Sequence, residues 1–120
     1  MMLCIAESAV VSVCPGGQLN LTCSADEMAL SWIVTFPHSP VSEQRIVLTT
    51  GVTEPLTKGQ TMFQFLRTSV SPLTSMVMID NVSTILNGTR VKCSDRGGVI
   101  STDNINVIGN GMYVLSQNKC

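Results

Sequence analysis

Apolar and polar side chains alternate along this chain in short runs broken by turn residues. Leu19, Leu21 and Cys23 alternate with Asn20 and Thr22, and Leu30, Trp32, Val34 and Phe36 alternate with Ser31, Ile33 and Thr35. A period of two puts each set on its own face of a strand, one set towards a core and the other outward. Val11 and Val13 lead into Pro15-Gly16-Gly17, a turn by composition. Residues 45–49 form a short apolar run, residues 51–60 read as loop around Pro55 and Gly59, and residues 61–68 read as a strand carrying Phe63 and Phe65. A turn is expected at 69–72, then a strand over 73–82 with Val77 and Ile79 on one parity and Met76 and Met78 on the other. That parity turns the two methionines outward, although core filling is the ordinary use of this residue. Asn87-Gly88 is a strong turn pair. Val91 and Cys93 then alternate with Arg90 and Lys92, Arg96-Gly97-Gly98 turns the chain, and Ile105 with Val107 closes the set. Helical spacing at i, i+3, i+4 nowhere persists for three turns, so the pattern predicts an all-β sandwich or barrel.

Composition supports that reading and narrows the function. Val, Ile and Thr number 34 against four Ala and three Lys, and β-branched side chains suit a pleated surface better than a helix. A chain of 120 residues holds one domain. Net charge is −1 with no basic cluster, so the phosphate-neutralising patch that nucleic acid requires is missing and no nucleic acid partner is expected. No run approaches the roughly 18 apolar residues of a transmembrane helix. Residues 1–9 are expected to be a leader remnant or a first strand, 10–108 the domain, and 109–120 a linker or the start of a following segment. A membrane anchor, if the full protein has one, belongs to the remainder.

Five cysteines stand at 4, 14, 23, 93 and 120, with one histidine, His38. Zinc would want closer ligand spacing or more histidine, so disulfides and an oxidising compartment are the better expectation. Cys23 and Cys93 lie on the apolar parity of their own strands. A bridge between them would pass through the core of a sandwich. Cys14, before a turn, is expected to pair with one of the others and tie the first strand down; which of Cys4, Cys14 and Cys120 pair is open.

Taken with Trp32, these cysteines carry a resemblance. Pro15-Gly16-Gly17-Gln18-Leu19-Asn20-Leu21-Thr22-Cys23 is similar to the A′-to-B segment of the immunoglobulin superfamily, and Leu30-Ser31-Trp32 to its strand C. Val77-Met78-Ile79-Asp80-Asn81-Val82 is similar to strand E, and Gly88-Thr89-Arg90-Val91-Lys92-Cys93 to strand F. The resemblance implies an immunoglobulin-like two-sheet antiparallel Greek-key sandwich. It further implies a Cys23–Cys93 bridge, Trp32 packed against it, and Leu21, Ile79 and Val91 in the core. Room before strand D favours a variable or intermediate set over a constant one. Two positions depart from the family. Val91 stands where it has tyrosine, so the tyrosine corner is missing, and Asn87 stands in place of the usual acidic residue.

The resemblance also implies an extracellular recognition or adhesion module that binds a protein partner through one sheet face or the loops at one end, as part of a longer receptor or secreted protein. The alternative is a structural spacer that touches only neighbouring domains. Candidate binding residues are Ile33, Arg90, Lys92, Asp95 and Arg96, with Ile33 expected outward beside two cations and Arg96 as the anchor. Three N-x-S/T sequons, at Asn20, Asn81 and Asn87, are candidate glycosylation sites, with Asn87 at a turn the best placed. His38 in a loop has no nucleophile motif beside it, and no phosphate loop, dinucleotide fingerprint or metal cluster occurs. No enzymatic activity, metal or cofactor is expected. A sugar-binding platform is disfavoured by the scarcity of aromatic residues.

Overall fold

The computed structural model describes residues 7–25, 29–37, 43–48, 56–58, 61–70 and 73–108. Alternation in the sequence becomes alternation in burial. In β2 (Leu19–Ala25) Leu19, Leu21, Cys23 and Ala25 are buried and the residues between them exposed. In β7 (Leu73–Asp80) every second residue from Leu73 to Ile79 is buried. Such strands need two apolar faces pressed together, which two sheets provide; the other strands are β1 (Glu7–Val13), β3 (Leu30–Thr35), β4 (Glu43–Leu48), β5 (Leu56–Lys58), β6 (Thr61–Val70), β8 (Arg90–Asp95) and β9 (Gly98–Val107). They assemble as a five-stranded sheet in the order β1-β9-β8-β3-β4 and a four-stranded sheet in the order β2-β7-β6-β5. The protein is an all-β two-sheet sandwich with hairpins β6–β7 and β8–β9, while β2→β3 and β7→β8 cross between the sheets.

The structure differs from the sequence expectation at several points. The sandwich is not wholly antiparallel, because β1 pairs with β9 in parallel. The turn after β1 sends the chain into the other sheet, so β1 descends beside β9 towards the same end. Residues 56–58, within the expected loop, form the short strand β5 beside β6. The strand expected over 61–68 runs to Val70, taking in part of the expected turn. The first strand begins at Glu7, so residues 7–9 belong to the sandwich. Residues 1–6 and 109–120, with Cys4, His38 and Cys120, lie outside the described residues.

The turn between β1 and β2 explains its glycine. The Gly17 N–H donates to the Cys14 carbonyl at 2.9 Å, and Gly16, at φ 82°, follows Pro15. Proline at the second position and positive φ at the third define a type II turn, which a side chain at Gly16 would strain. The turn docks onto the β7–β8 connection: the Gly16 N–H reaches Val82 O at 2.7 Å, and the Val82 N–H reaches Gly17 O at 3.0 Å.

The core centres on aromatic rings. Trp32, Phe63 and Phe65 are fully enclosed with Val77, Ile79 and Val91. Phe36 meets Phe63 edge-on at 6.0 Å, Phe63 stacks on Phe65 at 6.5 Å, and Phe65 lies 6.4 Å from Trp32. Leu21, Ile79 and Val91 take the core positions expected of them.

Candidate functional site

A disulfide joins Cys23 of β2 to Cys93 of β8, closing the two sheets on one another with Cα atoms 6.5 Å apart. Trp32 is the cross-strand neighbour of Cys93, and Ser75 that of Cys23. The Trp32 Nε1–H donates to Ser75 Oγ at 2.9 Å, and the Ser75 hydroxyl donates to the Leu66 carbonyl at 2.7 Å. The indole therefore fills the core, covers the bridge and satisfies its own polar atom on the opposite sheet. Cys14 is bonded in a second disulfide whose partner lies outside the described residues.

The corner between β7 and β8 is held without tyrosine. Val91 is fully buried. The Asn87 side chain takes over part of the fixing: its Oδ1 accepts from the Val107 N–H at 2.9 Å, while the Gly88 N–H donates to Ile105 O at 2.8 Å. The short 3-10 turn Thr84–Leu86 is capped by Ser83, whose hydroxyl accepts from the Ile85 N–H. Thr61, fully buried at the start of β6, donates its hydroxyl to Asn81 O at 2.8 Å and accepts from the Ser83 N–H at 3.0 Å. Asn81 adopts φ 54°, a left-handed conformation that asparagine tolerates better than most side chains. Thr61→Val keeps the volume but strips both bonds, and is expected to cost about 1–3 kcal/mol in denaturant unfolding; an unchanged midpoint would show that the corner does not depend on this hydroxyl.

Cross-strand register lays out the outer face of the five-stranded sheet. Ser8, Thr102, Lys92 and Ile33 share one row, Val10, Asn104, Arg90 and Thr35 the next, and Val99, Ser94 and Ser31 lie nearest the β8–β9 hairpin. Arg90 Nε donates to Asn104 Oδ1 at 3.4 Å, and Asn104 Nδ2 donates to Ala9 O at 3.3 Å and to Ser8 Oγ at 3.4 Å.

One expectation for the candidate binding residues is corrected. Ile33 is not displayed outward; it is only 6% exposed, although it faces away from the main core. It sits on a strand flanked on both sides, directly opposite the half-buried Lys92. A lysine lays its aliphatic stem over apolar neighbours and keeps its charge in water. Asp95 also has a local role, because its Oδ1 accepts from the Gly97 N–H at 2.7 Å and pins the hairpin turn. Arg90 and Arg96 are exposed. The apolar side chain standing out beside Arg96 is Val99, 41% exposed. Its outward parity follows from a register shift between Cys93 and Ser94, which leaves Ile100 unmatched and partly buried against the core.

Asn20, Asn81 and Asn87 are all exposed. They gather at one end of the sandwich, where β2 begins, β7 ends and β8 begins, an end tied together by the Gly16–Val82 and Gly17–Val82 bonds. The hairpin at Arg96-Gly97 lies at the opposite end, roughly 20 Å away along the six residues of β8.

Asp103 shares the inward parity of Ile105 and Val107 on β9 and is half-buried. Burial pushes its carboxyl above the ordinary 3.8. The folded state therefore holds that proton more tightly than the unfolded chain, so this group favours folding at pH below 3.8. That contribution is lost as pH rises through the raised value. Asp103→Asn is expected to be modestly more stable than the parent at pH 7, with the gap narrowing towards pH 4 in urea titrations. Equal stability at pH 7 would count against a burial penalty here.

Ser75, Thr61 and Asp103 were not among the residues singled out in the sequence. Each is a polar residue on the buried parity of its strand, and that mismatch was the available signal.

No protein-family model matches the chain, and no curated protein matches it in sequence. Among the described residues no helix is long and apolar enough to cross a membrane, and no group of three or more His, Cys, Asp or Glu is placed to hold a metal ion. The disulfide is compatible with an extracellular location.

Proposed function

We propose that this chain is an extracellular immunoglobulin-like recognition module, a divergent member of that superfamily, which binds a protein partner through the hairpin end of its five-stranded sheet. The observation that carries the reading is the segregation of the surface. All three sequons lie at one end, whereas the other end carries Arg96 and Val99, with Lys92 farther along the same sheet face, and that face is free of sequons. Glycans at the first end would leave the second open to a partner. A cation beside an exposed valine, over the floor formed by Ile33, is the mixed composition that protein interfaces use.

The strand order supports the superfamily reading. β8, β3 and β9 correspond to F, C and G, with β4 in the place of C′. The bridge between the sheets with Trp32 beside it supports it further. An oxidised core suits the cell surface or a secreted protein. Binding requires nothing of catalytic residues, metals or cofactors.

The test is capture of cell-surface ectodomains by the secreted, tetramerised chain, followed by Arg96→Ala and Val99→Asp. Each substitution is expected to weaken capture at least tenfold in protein that still unfolds in one cooperative transition. Capture by the variants at parental strength would remove this surface from the account. Failure of the parent to capture any ectodomain except its own neighbouring domains would favour the spacer.

A further inference from the structure

The outer face of the four-stranded sheet carries an apolar patch beside a sequon. Alternation on β7 turns Met76 and Met78 away from the core, and both remain half-buried. Register places Met76 opposite Leu66 and Met78 opposite Gln64 on β6. Met62, 41% exposed, lies at the margin, where its Sδ accepts from Gln64 Nε2 at 3.7 Å. On the other side of β7 the partners come from β2: Asn20 is opposite Met78, and Thr22 is opposite Met76. Directly opposed residues on an antiparallel pair share a face, with Cβ atoms about 5 Å apart. The acceptor asparagine and the threonine of Asn20-Leu21-Thr22 thus border the Met76–Met78–Leu66 patch along its length.

We propose that Asn20 carries an N-linked glycan whose first sugar residues lie across Met78 and Met76, so that the patch is sealed by carbohydrate attached to the same sheet face. This rests on the extracellular reading above, since the modification needs the secretory pathway. In the transfer, Asn20 Nδ2 forms a bond to C1 of N-acetylglucosamine, the diphosphate of a lipid-linked oligosaccharide departs with the bonding electrons, and the amide gives up one proton. The pyranose ring offers a face of C–H bonds, which matches soft, polarisable thioethers better than water does. Asn20 is exposed and stands on β2, which has β7 as its sole partner among the described strands, so the sugar has room to fold over the sheet. An apolar patch left bare would be a site for self-association. Covering it from Asn20 also removes this sheet from competition with the hairpin end as a docking surface.

The experiment reads methionine oxidation. The full chain is secreted from a eukaryotic host behind a leader, treated with dilute hydrogen peroxide while folded, and mapped by peptide mass spectrometry for glycan at Asn20 and sulfoxide at Met76 and Met78. It is compared with N20Q, with T22A (which keeps Asn20 but destroys the sequon), and with parent protein deglycosylated after folding. The glycosylated parent is expected to form sulfoxide at Met76 and Met78 at least threefold more slowly than all three comparators. An unmodified Asn20, or a protection of less than threefold, overturns the proposal. Failure of the extracellular reading has a different signature: the chain is retained in the cell and no Cys23–Cys93 linked peptide is found. A secreted protein with that link in place but unprotected methionines sinks the glycan cover alone.

Discussion

Replacing Cys23 and Cys93 together by alanine is expected to lower the unfolding free energy by about 4 kcal/mol, because the bridge closes a loop of 70 positions in the unfolded chain. Domains of this size are stable by roughly 5–15 kcal/mol in total, so about a quarter or more of the stability is at stake. The midpoint of thermal unfolding should fall by about 15–25 °C. The physical cause lies mainly in the denatured ensemble, which gains freedom once the cross-link is gone. A smaller native-state cost follows from the space the sulfurs leave beside Trp32. Guanidinium unfolding of the double variant and the parent, both under non-reducing conditions, measures the difference. A loss below 1 kcal/mol would mean that the bridge does not restrain the chain as its loop length requires.

The second large effect concerns the indole against that bridge. Trp32→Ala is expected to cost about 3–5 kcal/mol, since it empties the largest fully enclosed side-chain volume and removes the contact with Phe65. Ser75→Ala separates the polar part of the effect from the packing part. It leaves the volume nearly unchanged but strands the Trp32 Nε1–H and removes the hydroxyl that the Leu66 carbonyl accepts from. Leaving a buried donor unpaired costs about 1–3 kcal/mol. Both losses should appear in the same denaturant titration. A Ser75→Ala variant as stable as the parent would show that the indole N–H finds another partner, and that the chain of hydrogen bonds between the sheets is dispensable.

Both predictions rest on residues whose placement was largely legible in the sequence. Cys23, Trp32 and Cys93 could be placed on inward parities because β2, β3 and β8 alternate, and alternation is a local property that one buried face imposes. Ile33 defeated the same reasoning. Parity correctly turned it away from the main core, but on a strand with neighbours on both sides an outward residue can be covered by side chains from the flanking strands. Burial there depends on register with β8, which periodicity within β3 does not contain. The parallel pairing of β1 with β9 is likewise non-local. The strand β5 was too short, at three residues between a proline and a glycine, for a period to declare itself.

The candidate surface divides in the same way. Arg96 at the tip was legible from its turn, and Asp95 was legible as a residue but not in its role, which depends on the geometry of the bond it accepts. Val99 became visible only once the register shift before Ser94 set its direction. The gathering of the three sequons at one end needed the topology, since Asn20 and Asn87 are far apart along the chain and share an end only because β2 pairs with β7 and the β1–β2 turn docks on the β7–β8 connection.

The most direct test is a non-reducing peptide map of the chain secreted from a eukaryotic host. The account predicts a cross-linked peptide pair containing Cys23 and Cys93, with the protein folded and exported. Cys23 and Cys93 recovered as free thiols from folded protein would contradict it, and would take with them the oxidised sandwich core and the recognition surface built on it.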